Sequence, residues 1–208
     1  MYPIPDQEIK RYINRVLEDF TTEQIRDVLA REYTYRNRIK AKIKVLSNQY
    51  AERVFDDLIR INQIIVRPNW SFKPAIVPGK IGAPITNSLY EREGDMNDFE
   101  QEVVMSIASF SNVQFWHRNL GRGKGFSING FQSDHYPDFI IGTKQGNIIL
   151  LETKGGHLDN ADSAAKVRLG NRWAQLAGER FHYFMVFRQK EVDGALRLER
   201  AKELLRQL

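Results

Sequence analysis

Two carboxylates and a lysine stand at the ends of two neighbouring apolar segments. Asp138 follows Pro137 in the run YPDFIIG (136–142), and Glu152 and Lys154 close the next run, NIILLETK (147–154). Alternate residues of a strand point to the same face, so Glu152 and Lys154 share a face while Thr153 points away. The turn signal KQG joins the two runs. We therefore expect a hairpin that brings Asp138 beside Glu152.

This grouping of side chains points to chemistry with a metal ion. Two adjacent carboxylates repel each other, and a bound divalent cation removes that repulsion. Oxygen ligands favour Mg²⁺ or Mn²⁺ over zinc. A lysine beside such an ion can orient water and offset charge on a phosphate, as phosphodiester hydrolysis requires. The alternative is a structural ion pair at the end of a sheet, because charges that follow an apolar run need a partner or solvent.

The elements around this hairpin predict an α/β fold. A helix is expected to begin at Asn97 or Asp98 and to reach about Phe110, and strands are expected at 113–117, 136–142, 147–154 and 181–187. Further helices are expected from Asp159 to about Leu176 and over 198–207. This order favours a mixed sheet flanked by helices.

The first part of the chain has a different character. Residues 1–66 predict three helices, with Asp6 as the N-cap of the first, a second from Thr22, and a third from about 34 to 65. Residues 67–94 are rich in proline and glycine and are interpreted as a connector with one short extended piece, Ala75–Val77. The chain thus divides into a helical region (1–66), a connector (67–94) and an α/β domain (95–208).

Composition narrows the class of protein. The chain has 208 residues, of which 42% are hydrophobic and 27% charged, and its net charge is +5. It has no cysteine, which excludes thiol catalysis and cysteine-based zinc sites. No apolar run approaches the ~20 residues of a membrane span, and the N-terminus is polar, so we expect a cytoplasmic protein without a membrane partner. Residues 31–44 hold six basic residues and one acid, which suits either phosphate contact or a solvated helix face.

A family resemblance extends these expectations. The stretch NDFEQEVV…FWHRN…GFSI…YPDFIIG…GNIILLETKG…DSAAK…NRWA resembles the C-terminal endonuclease region of type III restriction enzyme (helicase/nuclease) subunits, within the PD-(D/E)xK nuclease superfamily. The resemblance covers about 95–190 and implies a PD-(D/E)xK restriction-endonuclease-like core. It puts Asp138, Glu152 and Lys154 on the signature positions. It also implies Mg²⁺-dependent DNA cleavage, with Mn²⁺ able to substitute, and the backbone carbonyl of Thr153 as a further metal ligand.

The resemblance bears on partners as well. Subunits of that family carry an upstream helicase motor, but no segment of this chain matches GxxxxGK[ST], so we expect no ATP site here. The expected partners are DNA and, beside it, a helicase or translocase motor or a methyltransferase subunit. A homodimer would supply the two active sites that cutting both strands needs. The expected role is nuclease action in a restriction or phage-defence system.

Five further residues are candidates for the same site. Glu100 lies on or beside the apolar face of its predicted helix, where PD-(D/E)xK folds often place an acidic residue, and is a candidate metal ligand. Lys166 matches a lysine of the family pattern and is a candidate contact to the scissile phosphate. Arg118, Arg122 and Lys124 flank or form the basic loop GRGKG and are candidate contacts to the DNA backbone. The alternatives are a surface lysine and an ordinary basic loop.

The sequence leaves three rival functions open. One is a junction-resolving or transposition-type nuclease on the same fold, which would prefer branched or transposon-end DNA. Another is a non-catalytic DNA-binding or regulatory module, although an intact Asp–Glu–Lys trio counts against it. The third is a nuclease that acts only in a complex, with residues 1–66 docking its partner.

Overall fold

The chain divides into two compact units. The protein is described by a computed structural model that covers residues 4–121, 123–131, 133–155, 160–188 and 193–208. By the contacts between its backbone segments, the chain divides into Met1–Ile65 and Val66–Leu208. The predicted connector, 67–94, therefore belongs with the second unit by its contacts. Among the described residues, no helix combines the length and the apolar character that crossing a bilayer requires.

The first unit consists of three helices, as its periodicity predicts. These are α1 (Asp6–Glu18), α2 (Thr22–Ala30) and α3 (Glu32–Arg60). The N-cap prediction for Asp6 is wrong, because Pro5 occupies that position and its carbonyl accepts the first helical hydrogen bonds. Helix α3 ends earlier than predicted, and Asn62 just beyond it adopts a left-handed backbone (φ 58°), a conformation typical of helix C-termini.

The second unit is an α/β fold with a mixed five-stranded sheet. Its elements in chain order are α4 (Asp98–Ile107), β1 (Val113–Arg118), β2 (Phe139–Thr143), β3 (Ile148–Lys154), α5 (Asn160–Ala177), β4 (Phe181–Phe187), β5 (Leu196–Arg197) and α6 (Leu198–Gln207). The strand order is β1-β2-β3-β4-β5. Strands β1, β2 and β3 are antiparallel, and β4 and β5 continue the sheet in parallel with β3. The predicted class, a mixed sheet flanked by helices, is confirmed, and β5 was not predicted.

Each face of the sheet is covered by helices. Helices α4 and α6 pack on one face, here called the α4 face, where Ile141, Ile149 and Val186 belong to the main core. Helix α5 packs on the opposite face, the α5 face, which carries Leu150 and Tyr183. Because strand residues alternate in direction, Glu152 and Lys154 lie on the α5 face with Leu150. Burial on both faces explains why β2 and β3 read as continuous apolar runs.

The segment before α4 runs along the outer edge of the sheet. The backbone N–H of Leu89 donates to the carbonyl of Trp116, and the indole Nε1 of Trp116 donates to the carbonyl of Thr86. The predicted extended piece, Ala75–Val77, forms no strand, and Val77 is 97% exposed. With no side chain buried there, an apolar triplet is not enough to pair with the sheet.

A close approach between α5 and β4 makes Gly170 sensitive to substitution. A Cβ atom added at Gly170 would lie 2.2 Å from Cγ of Tyr183. Alanine in a helix normally stabilises relative to glycine by about 1 kcal/mol, but here we expect Gly170→Ala to destabilise the fold by about 1–3 kcal/mol through overpacking. Urea unfolding followed by circular dichroism measures this change.

The control is Gly79→Ala, because a Cβ at Gly79 meets no atom within 4 Å. An unfolding midpoint of Gly170→Ala equal to that of the wild type would show that the ring of Tyr183 yields without cost.

Candidate active site

The β2–β3 hairpin brings Asp138 and Glu152 to the same end of the sheet. Phe139 pairs with Leu151 in this antiparallel ladder, so the next step outward sets Asp138 opposite Glu152. Asp138 is half-buried and directly precedes β2. Its Oδ2 accepts hydrogen bonds from the backbone N–H and the hydroxyl of Thr153, at 2.7 and 2.8 Å. One carboxylate oxygen of Asp138 is thus fixed by β3.

Glu152 is a buried carboxylate with one unsatisfied oxygen. Its side chain is almost fully buried, Oε1 pairs with Nζ of Lys154, and Oε2 has no hydrogen-bond partner in the described part of the chain. Burial and, after it, the negative charge of Asp138 raise the pKa of Glu152 to about 7, although Lys154 opposes both effects. A buried anion with an unpaired oxygen is costly.

Lys154 completes the group on the α5 face. Its side chain is 12% exposed and contacts the carboxylate of Glu152, two residues earlier on β3. The pair explains how two charged residues tolerate the end of an apolar strand, since each offsets part of the other's desolvation. The sequence-predicted trio of Asp138, Glu152 and Lys154 therefore lies together.

Glu100 lies on α4 and is held by two partners. Its Oε2 accepts from the backbone N–H of Asn97 at 3.0 Å in a reciprocal capping box, and lies 3.1 Å from Nη2 of Arg118. Burial raises the pKa of Glu100, Asn97 and Arg118 lower it, and the charge of Asp138 raises it. Glu100 is thus within electrostatic reach of Asp138, but its carboxylate is already engaged.

Arg118 is occupied within the protein. Besides Glu100, its Nε donates to the carbonyl of Asp95 at 2.8 Å, and its guanidinium lies 5.7 Å from the centroid of the Phe139 ring. The sequence predicts Arg118 as a contact to the DNA backbone. In this structure its described contacts instead connect β1 with α4 and with the segment that precedes α4.

The other residues predicted to contact DNA are Lys166, Lys124 and Arg122. Lys166 on α5 pairs with Asp162 at 3.1 Å, and its charge lowers the pKa of Glu152, so it is within electrostatic reach of the trio. Lys124 is exposed on the loop between β1 and β2. Arg122 lies outside the described residues.

Two buried polar residues at the site were missed by the sequence analysis. Nε2 of His135 lies 2.9 Å from the hydroxyl of Tyr183, and both residues are buried. Burial, together with the charges of Lys166 and Lys154, lowers the pKa of His135 to about 3. Burial also raises the pKa of Tyr183, and the charges of Glu152 and Asp138 raise it further. The histidine three residues before Asp138 was the available signal, but its partner on β4 cannot be read from spacing.

The carboxylate oxygens of Asp138 and Glu152 fit a small divalent cation. No cluster of three or more histidine, aspartate or glutamate side chains forms a ready-made metal site in the described ranges. Asp138 and Glu152 still supply two carboxylates that are opposite each other in the strand register and interact electrostatically. The unpaired, buried Oε2 of Glu152 is an atom that a cation would satisfy. Mg²⁺ is commonly held by one or two carboxylates together with water, so this smaller donor set fits it.

No protein-family model matches the chain, and no curated protein or solved structure is significantly similar to it. The chemistry of the site is therefore the evidence for function.

Proposed function

We propose that the second unit is a DNA endonuclease dependent on Mg²⁺ or Mn²⁺, with a PD-(D/E)xK-type core. The observation that carries the proposal is the buried, incompletely bonded carboxylate of Glu152, which lies beside Asp138 and contacts Lys154. Structural ion pairs seldom leave a buried carboxylate oxygen without a partner. Strongly raised pKa values are concentrated at functional sites, which favours the catalytic interpretation over a structural one.

In this proposal each residue has a distinct task. Asp138 and Glu152 hold the cation, and the backbone carbonyl of Thr153 is a further ligand by family resemblance. The cation, when bound, activates water and offsets negative charge on the phosphate. Lys154 supplies a positive charge beside the phosphate and stabilises the charge that develops in the transition state. Glu100 is a weaker candidate ligand, because Arg118 and Asn97 already engage its carboxylate.

Lys166 and Lys124 are proposed to contact the DNA backbone. Lys166 is half-buried on α5 within electrostatic reach of Glu152, which suits a phosphate close to the reacting bond. Lys124 is exposed and suits a flanking phosphate. Action within a restriction or phage-defence system, beside a motor or methyltransferase subunit, is proposed from the family resemblance alone.

The direct test is cleavage of supercoiled plasmid DNA by the purified chain. With Mg²⁺ or Mn²⁺ we expect nicked and linear products, and with EDTA none. If a folded protein leaves the plasmid intact with either ion, the chain is not an autonomous nuclease. Faster cleavage of branched than of plain duplex DNA would favour a junction-resolving enzyme.

The Lys124→Ala variant tests the proposed DNA contact. Loss of one phosphate contact is expected to weaken binding of a short duplex about two- to fivefold and to reduce the slope of log affinity against log salt by about one. Fluorescence anisotropy with EDTA present measures binding without cleavage.

Lys144→Ala is the matched control, since Lys144 is also exposed but lies in the turn at the opposite end of the β2–β3 hairpin. If both variants change the salt slope equally, the effect is one of net charge and not of a contact at Lys124.

A further inference from the structure

We propose that Tyr183 and His135 form a positioning pair for the candidate active site. Their hydrogen bond crosses β3 on the α5 face and holds the segment that leads into β2, so that Asp138 stays beside Glu152. This inference rests on the proposed function, because it assigns the pair a role in cation binding by Asp138 and Glu152. Neither residue is proposed to touch the substrate.

The bond between the two residues is buried and well formed. The hydroxyl of Tyr183 lies 2.9 Å from Nε2 of His135, and the two rings meet edge to face with centroids 5.7 Å apart. The backbone of His135 is itself fixed, since its N–H and carbonyl exchange hydrogen bonds with Ile128, each of 2.8 Å. The backbone of His135, three residues before Asp138, is therefore held in place by hydrogen bonds.

The sheet order explains why this bond matters for the site. Strands β2 and β4 are not neighbours but lie on either side of β3. Adjacent strands are about 4.8 Å apart, so β2 and β4 are about 10 Å apart and their backbones cannot bond directly. Tyr183 pairs in register with Leu150, which is two residues before Glu152 on the same face. The side-chain bond thus passes over β3 next to Glu152.

The pair adds to the attachments that fix Asp138 from β1 and β3. From the β1 side, Asn119 donates its backbone N–H to the carbonyl of Asp138 and its side-chain amide to the carbonyl of Pro137, each at 2.8 Å. From β3, Thr153 holds the carboxylate. The bond between His135 and Tyr183 is the attachment from the β4 side, and it crosses the face on which Glu152 lies.

The surrounding charges keep this hydrogen bond intact at neutral pH. His135 stays uncharged because it is buried and because Lys166 and Lys154 lower its pKa, with Asp162 opposing them. Tyr183 stays protonated because burial, together with Glu152 and Asp138, raises its pKa. A neutral imidazole can accept a hydrogen bond from the tyrosine hydroxyl at Nε2, so the pair needs no ionised group.

The Tyr183→Phe variant removes the bond and leaves the ring in place. The ring packs closely on Gly170 of α5, and phenylalanine retains this contact. Loss of a group that orients a metal ligand typically costs ten- to a hundredfold in metal affinity, so we expect Mn²⁺ to bind about tenfold more weakly. Isothermal titration calorimetry with Mn²⁺ alone measures this without any reaction. In plasmid cleavage at saturating Mn²⁺, kcat should fall while KM for DNA stays unchanged.

Two variants of His135 test the bond from its other end. His135→Leu should weaken Mn²⁺ binding as Tyr183→Phe does, and the double variant should be no weaker than either, because the two residues act as a unit. In His135→Gln, the amide oxygen can accept a hydrogen bond from the tyrosine hydroxyl. This variant should therefore bind Mn²⁺ more tightly than His135→Leu does. Tyr12→Phe, at an exposed tyrosine of α1, is the control for loss of a hydroxyl.

The outcomes separate this inference from the proposed function. Wild-type affinity and kcat in both Tyr183→Phe and His135→Leu would overturn the inference and leave the nuclease proposal intact. Absence of Mn²⁺ binding by the wild type would overturn both. If Tyr183→Phe does not fold, the difference in Mn²⁺ affinity between His135→Leu and His135→Gln decides, and equal affinities overturn the inference.

Discussion

The Lys154→Ala variant is expected to lose plasmid cleavage while it retains its fold. Removal of a charge that stabilises a transition state usually costs a hundred- to a thousandfold in kcat, and we expect a loss of at least about a hundredfold here. Binding of uncleaved duplex should change by no more than about fivefold, because a single phosphate contact contributes little to total affinity. At saturating Mg²⁺, the effect therefore falls on the chemical step.

The fold should survive this substitution because Glu152 can become neutral. Without Lys154, burial and the charge of Asp138 raise the pKa of Glu152 unopposed by its ion-pair partner. A buried carboxyl group in that position binds a proton instead of remaining an unpaired anion. Circular dichroism should show an unchanged spectrum.

Initial rates of plasmid nicking in Mg²⁺ provide the measurement. Lys144→Ala, at the opposite end of the same hairpin, removes the same charge and should cleave at the wild-type rate. Cleavage by Lys154→Ala within a few-fold of the wild type would remove Lys154 from the mechanism and leave it as the ion-pair partner of Glu152.

The sequence allows the hairpin and most elements to be predicted because they depend on local patterns. Two apolar runs rich in β-branched residues and joined by a short turn leave little choice of pairing, so the register that sets Asp138 opposite Glu152 follows. The capping residue Asn97 could be anticipated for the same reason, as its side chain bonds within the first turn of α4.

Contacts between distant segments could not be predicted in this way. The partners His135 and Tyr183 are 48 positions apart, and no periodicity connects them. Arg118 resembles a free DNA contact in a basic stretch, but tertiary packing brings Glu100 and the carbonyl of Asp95 to its guanidinium. Strand β5 has only two residues and forms because β4 offers it an edge.

The Glu152→Gln variant is expected to stabilise the metal-free protein above neutral pH and to abolish cleavage. The folded protein raises the pKa of Glu152 from an ordinary 4.5 to about 7, so the folded state holds this proton more tightly than the unfolded chain does. Stability from this group is therefore fully present below about pH 4.5 and is lost as the pH rises through about 7. The loss corresponds to about 3 kcal/mol.

Glutamine has the same shape and carries no charge, so it avoids this loss. The difference in the free energy of unfolding between Glu152→Gln and the wild type should be near zero at about pH 4 and approach about 3 kcal/mol at about pH 8. Urea unfolding in EDTA at both pH values measures it. Glu179→Gln, at an exposed glutamate before β4, should follow the wild type at both. Parallel stability curves for Glu152→Gln and the wild type would show that the folded state does not raise the pKa of Glu152.

Divalent cations should reverse the order of stability. A cation that binds only the folded wild type stabilises it in proportion to the logarithm of its concentration over Kd, and Glu152→Gln lacks one of the two carboxylates that would hold it. At pH values above 7, added Mg²⁺ or Mn²⁺ should therefore raise the urea midpoint of unfolding of the wild type. The midpoint of the variant should stay almost unchanged. If Glu152 destabilises the metal-free protein and a cation removes that cost, the role of Glu152 is to bind the cation. A structural ion pair would give no response to the metal.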